Sequence, residues 1–371
     1  MMRFTCEKAL LVGGVSVASR TVASKSAIPA LEGIHIRAGT CLELTGYNLE
    51  TGITVTVPAE IKETGAYIFP ARLFSDIIRK LPDEMVSVSV DDNYRVSIQC
   101  GISSFTITAI DAEDYPALPD VDSEKQVAIP QRELRNMIDG TIFSVSENQA
   151  RPIHMGCLFE VEDDSITVVA VDGYRFALRR FHPETPIGRR MKFVAPAAAL
   201  REVEKILGDT DEATYFTLGT KHLMFKIGDA TLICRLLEGE FLDWRRVVPN
   251  NSPILLCADV GKITSSIERV GLIISEKIKS PVRCLFGDNS ADFKTFSTVG
   301  SAHDGCSVAG DGGELEIGFN CRYLLEALKA VPTTEVTLGL SNNLSPVVLT
   351  PPDGSDRFSY MVLPVRLKAG E

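Results

Sequence analysis

The sequence lacks the features of membrane, secreted and disulfide-stabilised proteins. No apolar run in its 371 residues approaches the roughly 18 that a membrane-spanning helix needs. Residues 1–8 lack the apolar stretch and the small-residue cleavage site of a signal peptide. Nine cysteines stand singly, with no Cys-x-x-Cys pair, which is typical of buried free thiols in a reducing compartment. We therefore predict a cytoplasmic protein without disulfides, zinc or a membrane segment.

The sequence also lacks the short motifs of common enzyme classes. It has no G-x-x-x-x-G-K-[ST] loop, no G-x-G-x-x-G after a strand and no G-x-S-x-G. The five histidines are isolated, and only His154, just before a strand pattern, merits inspection as a ligand or base. Asp163 and Asp164 indicate a hairpin turn, and 310–313 a tight turn between strands. We predict that the protein is not an enzyme and carries no cofactor or metal.

The charge balance is acidic. Asp and Glu number 49 against 38 Lys and Arg, which gives a formal net charge of -11. Proteins that bind nucleic acid on a simple surface are usually basic, because phosphate neutralisation supplies their affinity. Taken alone, the acidity argues against a DNA partner, unless the charge is segregated between two faces.

What the sequence does contain is a helical pattern that occurs three times. Segments 70–81, 196–207 and 320–331 each follow a strand pattern and have apolar residues at helical spacing, and their starts lie 126 and 124 residues apart. The fifth and twelfth positions are apolar in all three: Phe74 and Leu81, Leu200 and Leu207, Leu324 and Val331. The tenth position is a cation in all three, and we call this set the register cations: Arg79, Lys205 and Lys329.

A second set of apolar positions precedes the first by 61 to 66 residues. It has i, i+4, i+7 spacing and consists of Leu11, Val15 and Ala18, then Leu134, Ile138 and Thr141, then Ile263, Ile267 and Val270. Between the helices, alternating patterns predict strands at 34–36, 41–44, 53–57 and 165–170, a hairpin over 86–98 and a meander over 216–236.

These patterns predict an α+β chain of three repeated domains, each with two helices packed on antiparallel sheets. Two linkers that contain proline, 111–120 and 248–253, fall where the repeat places domain boundaries. We therefore predict domains at 1–123, 124–252 and 253–371.

Charge differs between the helices and the remainder. The formal charge is +2 over 71–80, +1 over 5–20 and +1 over 320–329, which leaves about -15 outside the helices. One interpretation is a molecule with a basic face and an acidic face. The alternative is that Lys and Arg are simply good helix formers.

Several segments together resemble one family. They are 28–31, 44–50, 70–72 with 81–82, 170–177, 239–247, 316–320 with 323–324, and 360–367. In this order and spacing they are similar to the bacterial DNA polymerase III beta subunits, the replicative sliding clamps, over almost the whole chain.

The resemblance implies a fold and a function. Such clamps consist of three DNA-clamp domains and form a ring as a head-to-tail dimer, with helices around the hole and sheets outside. The ring encircles double-stranded DNA without sequence preference and tethers the replicative polymerase, so that topology confers processivity. The implied partners are DNA, a second copy of the chain, the polymerase III catalytic subunit, the clamp loader and other proteins that carry short clamp-binding peptides.

The resemblance also implies three sets of site residues. DNA would contact helix cations and loop residues: Arg72, Arg79, Lys205 and Lys329, with Lys25, Asn148 and Arg151. The dimer interface would join Phe105 and Ile107 of one copy to Leu272 and Ile273 of the other. Partner peptides would enter a pocket formed by His154, Val171, Gly173, Tyr174, Arg175, Phe176, Leu242, Arg246, Val247, Tyr323, Leu344, Pro346, Met361, Leu363, Pro364, Val365 and Arg366.

Physical chemistry supports the implied pocket. Apolar walls suit apolar peptide anchors, and we expect Arg175 and Arg246 to bind peptide carbonyls or a carboxylate. The chain departs from the commoner family pattern at His154, at Leu242, where proline is frequent, and in its ending at 367–371. These departures concern peptide preference.

Two alternatives to a sliding clamp remain. The first is a cytoplasmic hydrolase built from repeats, with a carboxylate site that no motif marks. Clustered acids with shifted pKa values in a cleft would support it. The second is a scaffold that does not bind DNA. Unchanged DNA retention after replacement of the register cations by Glu would favour it.

Overall fold

The computed structural model describes residues 1–121, 126–249, 251–274 and 280–367. The helices within these ranges are α1 Lys8–Ala18, α2 Ala71–Lys80, α3 Gln131–Ile142, α4 Ala197–Ile206, α5 Val260–Gly271 and α6 Cys321–Lys329. They lie where the two sets of apolar positions predicted them. All of those apolar positions are buried, including Thr141, whose hydroxyl donates to the Met137 carbonyl at 2.7 Å.

Strands lie at every segment where the sequence predicted them, and the structure adds others. In the first third of the chain they are β1 Met2–Glu7, β2 Gly33–Ala38, β3 Leu42–Tyr47, β4 Thr51–Val57, β5 Glu60–Glu63, β6 Gly65–Pro70, β7 Met85–Val90, β8 Arg95–Cys100, β9 Ser103–Thr108 and β10 Ile110–Asp111. In the second they are β11 Gln126–Pro130, β12 Gly156–Val161, β13 Ile166–Val171, β14 Arg175–Phe181, β15 Met191–Pro196, β16 Ala213–Leu218, β17 His222–Ile227 and β18 Ala230–Arg235. In the last they are β19 Ile254–Asp259, β20 Val282–Ser297, β21 Gly300–Phe319, β22 Glu335–Leu340, β23 Val347–Thr350, β24 Phe358–Val362 and β25 Pro364–Val365.

The chain divides into two compact units. Unit 1 comprises Met1–Arg132 and Arg201–Leu236, and unit 2 comprises Glu133–Leu200 and Leu237–Glu371. The predicted middle domain, 124–252, therefore contributes to both units, because its strands join two different sheets. The boundaries 1–123, 124–252 and 253–371 stay a prediction.

Unit 1 contains two antiparallel sheets. One has the order β5-β1-β7-β8-β9 and the other β10-β6-β2-β3-β4-β18-β17-β16-β11. Alternate residues of β8 are buried, as expected for a strand with one face on a core. Helices α1 and α2 bury Leu11 and Phe74 in the same core, where Phe74 packs edge-to-face on Phe69 at 5.0 Å. Gly46 permits the close approach of β3 to α1, since a Cβ there would lie 2.0 Å from the Ala18 oxygen.

Unit 2 contains one eleven-stranded sheet. Its order is β15-β12-β13-β14-β24-β23-β22-β19-β21-β20, with β25 on β21. Every residue of β12 and β13 is buried, which explains their nearly continuous apolar sequence. The helices α5 and α6 pack on this sheet and bury Ile267 and Leu328 in the core that they share with it.

Side-chain caps set the first residues of two helices. The Asp259 carboxylate accepts the Lys262 backbone N–H at 2.8 Å before α5. The Asn320 side chain accepts the backbone N–H groups of Arg322 and Tyr323 before α6. Because these N–H groups have no partner within the helix, the caps stabilise the start of each helix.

Two sequence interpretations require correction. The segment 310–313 is not a turn but lies inside β21, opposite a stretch of β20 where the register shifts. Its glycines allow close strand approach, since a Cβ at Gly312 would lie 2.4 Å from the Phe286 oxygen. All nine cysteines are free as predicted, but Cys41, Cys257 and Cys306 are only half-buried.

Candidate peptide-binding surface and DNA-binding cations

All seventeen predicted peptide-pocket residues belong to unit 2. The buried ones are Val171, Arg175, Phe176 and Met361. The half-buried ones are His154, Leu242, Tyr323, Pro346 and Pro364. The exposed ones are Gly173, Tyr174, Arg246, Val247, Leu344, Leu363, Val365 and Arg366. One unit thus supplies both an apolar base and exposed side chains for a binding surface.

The base is a compact apolar cluster, which we call the apolar floor. Its members include Val171, Phe176, Phe241, Trp244, Val348 and Met361. Phe176 of β14 is directly opposite Met361 of β24, and Val348 of β23 is opposite Met361 on the other side. Four strands and the segment after β18 therefore meet in one cluster.

Five exposed apolar side chains lie next to this floor along the chain, and we call them the apolar rim: Tyr174, Val247, Leu344, Leu363 and Val365. Tyr174 precedes Phe176 by two residues, and Leu363 follows Met361 by two. The Leu363 N–H donates to the Tyr174 carbonyl at 2.8 Å, and the Tyr174 ring stacks on Tyr323 at 6.2 Å. The exposed fractions of Tyr174 and Leu344 are 63% and 65%. Exposed apolar side chains grouped in this way mark binding sites.

The turn that presents Tyr174 is held by one carboxylate. Asp172 Oδ1 accepts the backbone N–H groups of Tyr174 at 2.8 Å and Arg175 at 3.0 Å. Gly173 has φ of 95°, a conformation that favours glycine. The turn therefore fixes the backbone at the end of β13 and directs Tyr174 outward.

Arg175 lies beneath the surface rather than on it. It is 7% exposed, and its guanidinium donates to Asp172 at 2.9 Å and to Glu326 of α6. Its guanidinium carbon also lies 4.4 Å from the centre of the Tyr323 ring. These contacts suit a support for Tyr174 and Tyr323 more than the peptide contact expected from sequence. Arg246, by contrast, is exposed and pairs only with Asp243, at 3.0 Å, among the described residues.

His154 contributes an aromatic ring. It lies in the short 3₁₀ helix Pro152–Met155, which Arg151 precedes. Its ring packs edge-to-face on Phe241, with ring centres 5.3 Å apart. Burial, together with the Arg151 charge, lowers the pKa of His154, which favours the neutral ring at pH 7. The described residues contain no group of three His, Cys, Asp or Glu side chains that could hold a metal.

Sequence reasoning missed three residues that build this surface: Glu160, Phe241 and Trp244. Glu160 is a carboxylate inside a buried strand and accepts the Trp244 indole N–H at 3.0 Å. Its position in a strand of apolar residues was the only local signal. Burial of Phe241 and Trp244 depends on the long-range packing of unit 2, which local periodicity does not report.

The register cations are exposed at the last turns of α2, α4 and α6. Lys205 pairs with Glu202 at 2.8 Å, and Lys329 pairs with Glu268 at 2.6 Å. Arg79 has no ion pair among the described residues. Arg72 is exposed at the start of α2, and the loop residues Lys25, Asn148 and Arg151 are exposed too. These seven residues belong to both units, and their part in DNA binding stays a prediction.

The predicted interface residues lie at two apolar positions. Phe105 and Ile107 belong to β9, which is an edge strand of its sheet; Phe105 is exposed and Ile107 buried. Leu272 directly follows α5 and is 84% exposed, while Ile273 is half-buried. An edge strand leaves backbone groups free for pairing with another chain, so β9 can accept a partner strand; the interface itself stays a prediction.

Two cavities lie beside helices, and the first includes the predicted pocket residue Tyr323, on which Tyr174 stacks. One, of about 930 Å³, is lined by residues of α5 and α6, among them Leu272, Cys321 and Lys329. The other, of about 510 Å³, lies at the start of α2 beside Arg72 and Leu73. Two acids line each cavity, Glu268 and Glu326 in the first and Glu32 and Asp76 in the second. Within the described part of the chain, every Asp or Glu with a shifted pKa has it lowered: Asp91, Asp111, Glu160, Asp304, Asp353 and Asp356.

Comparison with known proteins gives a consistent result along the chain. Family models for the N-terminal, central and C-terminal domains of the DNA polymerase III beta subunit match residues 2–119, 128–243 and 245–366. The beta sliding clamp of Staphylococcus aureus is 30% identical, over 99% of this chain and all of its own length.

Solved structures agree. The DNA polymerase sliding clamp of Bacillus subtilis superposes with a TM-score of 0.95 at 28% identity, over 99% of this chain and 100% of its own. A sliding clamp of Pseudomonas aeruginosa bound to griselimycin superposes with a TM-score of 0.92 at 27% identity and the same coverage. The match includes both units in full.

Proposed function

The chain belongs to the DNA polymerase III beta subunit family, the sliding clamps, and from this premise we propose that it encircles duplex DNA and tethers the replicative polymerase to it. The three clamp domains, with their helices and antiparallel sheets, are those of the family. Because a closed ring holds DNA by topology, weak and sequence-independent phosphate contacts suffice. We also propose that it works in the cytoplasm without catalysis of its own.

The observation that carries the tethering proposal is the apolar rim above a shared floor in unit 2. Floor members from β13, β14, β23 and β24 belong to one packed cluster, and the rim offers five exposed apolar side chains beside it. A short peptide with apolar anchors fits such a surface. Ordering a flexible peptide costs several kcal/mol, so we expect affinity on the order of micromolar.

Exchange among partners follows from that affinity. The polymerase catalytic subunit, the clamp loader and other proteins with short clamp-binding peptides would compete for the same rim. Griselimycin, which is bound in the Pseudomonas aeruginosa structure, is a useful second ligand, and we propose that it competes with the peptides in this protein.

The second copy of the chain completes the proposed ring. The free edge of β9 with Phe105, and the exposed Leu272 with Ile273, would meet head to tail across two interfaces. Such a heterologous arrangement closes into a ring when its rotation permits. Light scattering should give the mass of two chains, and Leu272→Asp should shift the protein to one. A wild-type monomer at micromolar concentration would contradict the ring.

A direct test of tethering uses a fluorescein-labelled peptide from the C-terminal tail of the polymerase catalytic subunit. We expect saturable anisotropy with the wild-type protein, and competition by the unlabelled peptide and by griselimycin. Absence of binding at about 100 µM protein, well above the expected micromolar affinity, would contradict the proposed role of unit 2.

A further inference from the structure

Glu160 is a buried carboxylate with three donors on it. Its side chain lies on β12, and one oxygen, Oε2, accepts the Trp244 indole N–H at 3.0 Å and an Arg245 guanidinium N–H at 2.9 Å. The other oxygen, Oε1, lies 3.0 Å from Lys192 Nζ, across the strand pair with β15. These donors lower the pKa of Glu160 against the opposing effect of its burial. A buried charge with its hydrogen bonds satisfied is a strong anchor.

The two donors on Oε2 belong to a short helical turn. Residues Trp244–Arg246 form a single 3₁₀ turn. Its backbone hydrogen bonds are few: Arg246 N–H donates to the Asp243 carbonyl at 3.2 Å, and Val247 and Val248 N–H donate to the Trp244 carbonyl at 3.0 and 3.3 Å. A turn this short is not stable by itself, so its place in the fold depends on side-chain anchors.

Trp244 is the anchor that reaches the apolar floor. It is 8% exposed and packs against Phe176 with ring centres 6.4 Å apart. The Arg245 guanidinium carbon lies over the Trp244 ring, 4.3 Å from the ring centre, which is within the range of a cation–π contact. Glu160 therefore binds both the edge of the indole and the cation that stacks on it.

The turn carries three predicted peptide-pocket residues. Leu242 precedes it and packs partly on the floor; Arg246 ends it, and Val247 follows it, both exposed. The described contacts of Arg246 and Val247 are with residues of the same short segment. Their position relative to the floor is thus set through Trp244 and Arg245.

We propose that Glu160 is a positioning residue for partner binding, which latches the turn Trp244–Arg246 so that Leu242, Arg246 and Val247 form one wall of the peptide site. The inference rests on the proposed function, because it concerns the affinity for partner peptides. Glu160 does not contact the peptide; it acts through Trp244 and Arg245. Loss of the latch leaves the floor residues Phe176 and Met361 and the rim residues Tyr174 and Leu363 in place, but lets Trp244 and the wall residues move.

The chain offers a specific reporter and a matched control. Trp244 is the only tryptophan in the sequence, so intrinsic fluorescence and its quenching by acrylamide report this turn alone. Lys192 binds the opposite oxygen of Glu160 and touches the turn through no described contact. Glu160→Gln keeps the side-chain shape but removes the charge, and Lys192→Gln removes a charge from Glu160 without removing a donor from the turn.

The experiment measures affinity for the labelled polymerase-tail peptide, chosen without tryptophan, together with acrylamide quenching in the same full-length proteins. For Glu160→Gln we expect about tenfold weaker binding, as for the loss of one charge-assisted interaction, and stronger quenching. For Lys192→Gln, which keeps both donors of the turn on Oε2, we expect unchanged quenching and a loss of affinity below threefold. Arg245→Met, at an exposed position, should weaken binding about threefold, by loss of a cation–π contact, and serves if Glu160→Gln does not fold.

Three results would overturn the proposal, and they are distinguishable. Wild-type affinity in both Glu160→Gln and Arg245→Met would show that the latch does not set binding. Weaker binding with unchanged quenching would show that Glu160 acts other than through the turn. Failure of the wild-type protein to bind the peptide would overturn the proposed function, and the latch with it.

Discussion

The apolar rim and the register cations differ in how the chain builds them. Tyr174, Leu363 and the other rim residues come from distant segments that converge on one floor in unit 2. The register cations stand singly at the ends of three helices, and each is exposed. The rim forms only when several strands from distant parts of the chain pair correctly. The position of a cation at the end of a helix depends only on that helix.

This difference predicts how substitutions should change peptide and DNA binding. Apolar binding surfaces concentrate affinity in a few central side chains, so removing one rim residue should have a large effect. Sequence-independent DNA binding sums many weak contacts with phosphates, so removing one cation should have a small effect.

The rim should be sensitive to loss of its centre. Tyr174→Ala combined with Leu363→Ala removes two exposed side chains next to the Phe176–Met361 pair. We expect affinity for the labelled polymerase-tail peptide to fall about a hundredfold, since each anchor contributes about 1–2 kcal/mol. Leu255→Ala, at an exposed leucine of β19, is the matched control and should bind like the wild type. A loss below threefold in the double variant would contradict the assignment of the rim.

The three register cations together should alter DNA binding and leave peptide binding unchanged. Replacement of all three by Gln removes three exposed charges, so the slope of log affinity for a short duplex against log salt should fall by about two to three, since ion pairs already offset part of the charge on Lys205 and Lys329. A triple Gln variant at Lys62, Arg190 and Lys226, exposed cations on strands and loops, makes the same change in net charge. Equal slopes in the two triple variants would favour the view that the helix cations serve only helix formation.

Among single cations, Arg79 should matter most. Lys205 and Lys329 already pair with Glu202 and Glu268, and these carboxylates offset part of their charge. Arg79→Gln should reduce the salt slope by about one, and Lys205→Gln or Lys329→Gln by less. Glu202→Gln should strengthen duplex binding slightly, because it frees Lys205. A weaker effect for Arg79 than for Lys205 would show that the ion pairs do not control the contribution of each cation.

The smallest functional effect is expected for an ion pair outside both regions. The hydrogen bond from Arg269, together with the Arg269 charge, lowers the pKa of Asp304 from 3.8 to about 2. A lowered carboxyl pKa stabilises the fold above about pH 4, and this contribution is lost as the pH falls toward 2. Asp304→Asn should therefore lower the Tm at pH 6 but not at pH 2, with peptide and duplex binding unchanged at neutral pH. Equal Tm values for Asp304→Asn and the wild type at pH 6 would contradict the lowered pKa of Asp304.

The helices and most strands could be predicted from the sequence because their signals are local. The i, i+4, i+7 spacing of Leu11, Val15 and Ala18 reports one buried face, and all three are buried. The pairing of β14 with β24 joins segments far apart in the chain, and no local period encodes it. For the same reason the division of 124–252 between two units was not expected.

The candidate site was accessible from sequence only through the family resemblance. Composition gave no sign that Tyr174 and Leu363 would be adjacent, and their backbone hydrogen bond shows it. The resemblance implied that Arg175 would bind peptide, but it is buried and pairs with two carboxylates of the chain. Glu160 could not be assigned, since two of its three donors come from a segment more than eighty residues away.

The central claim is that a closed ring holds DNA by topology. It is tested most directly by loading the protein onto a nicked circular plasmid with its clamp loader, and then measuring retention by gel filtration before and after a single restriction cut. We expect the protein to remain on the circle at moderate salt and to be lost from the linear product, because an open end lets a ring slide off. Equal retention on circular and linear DNA would contradict the claim.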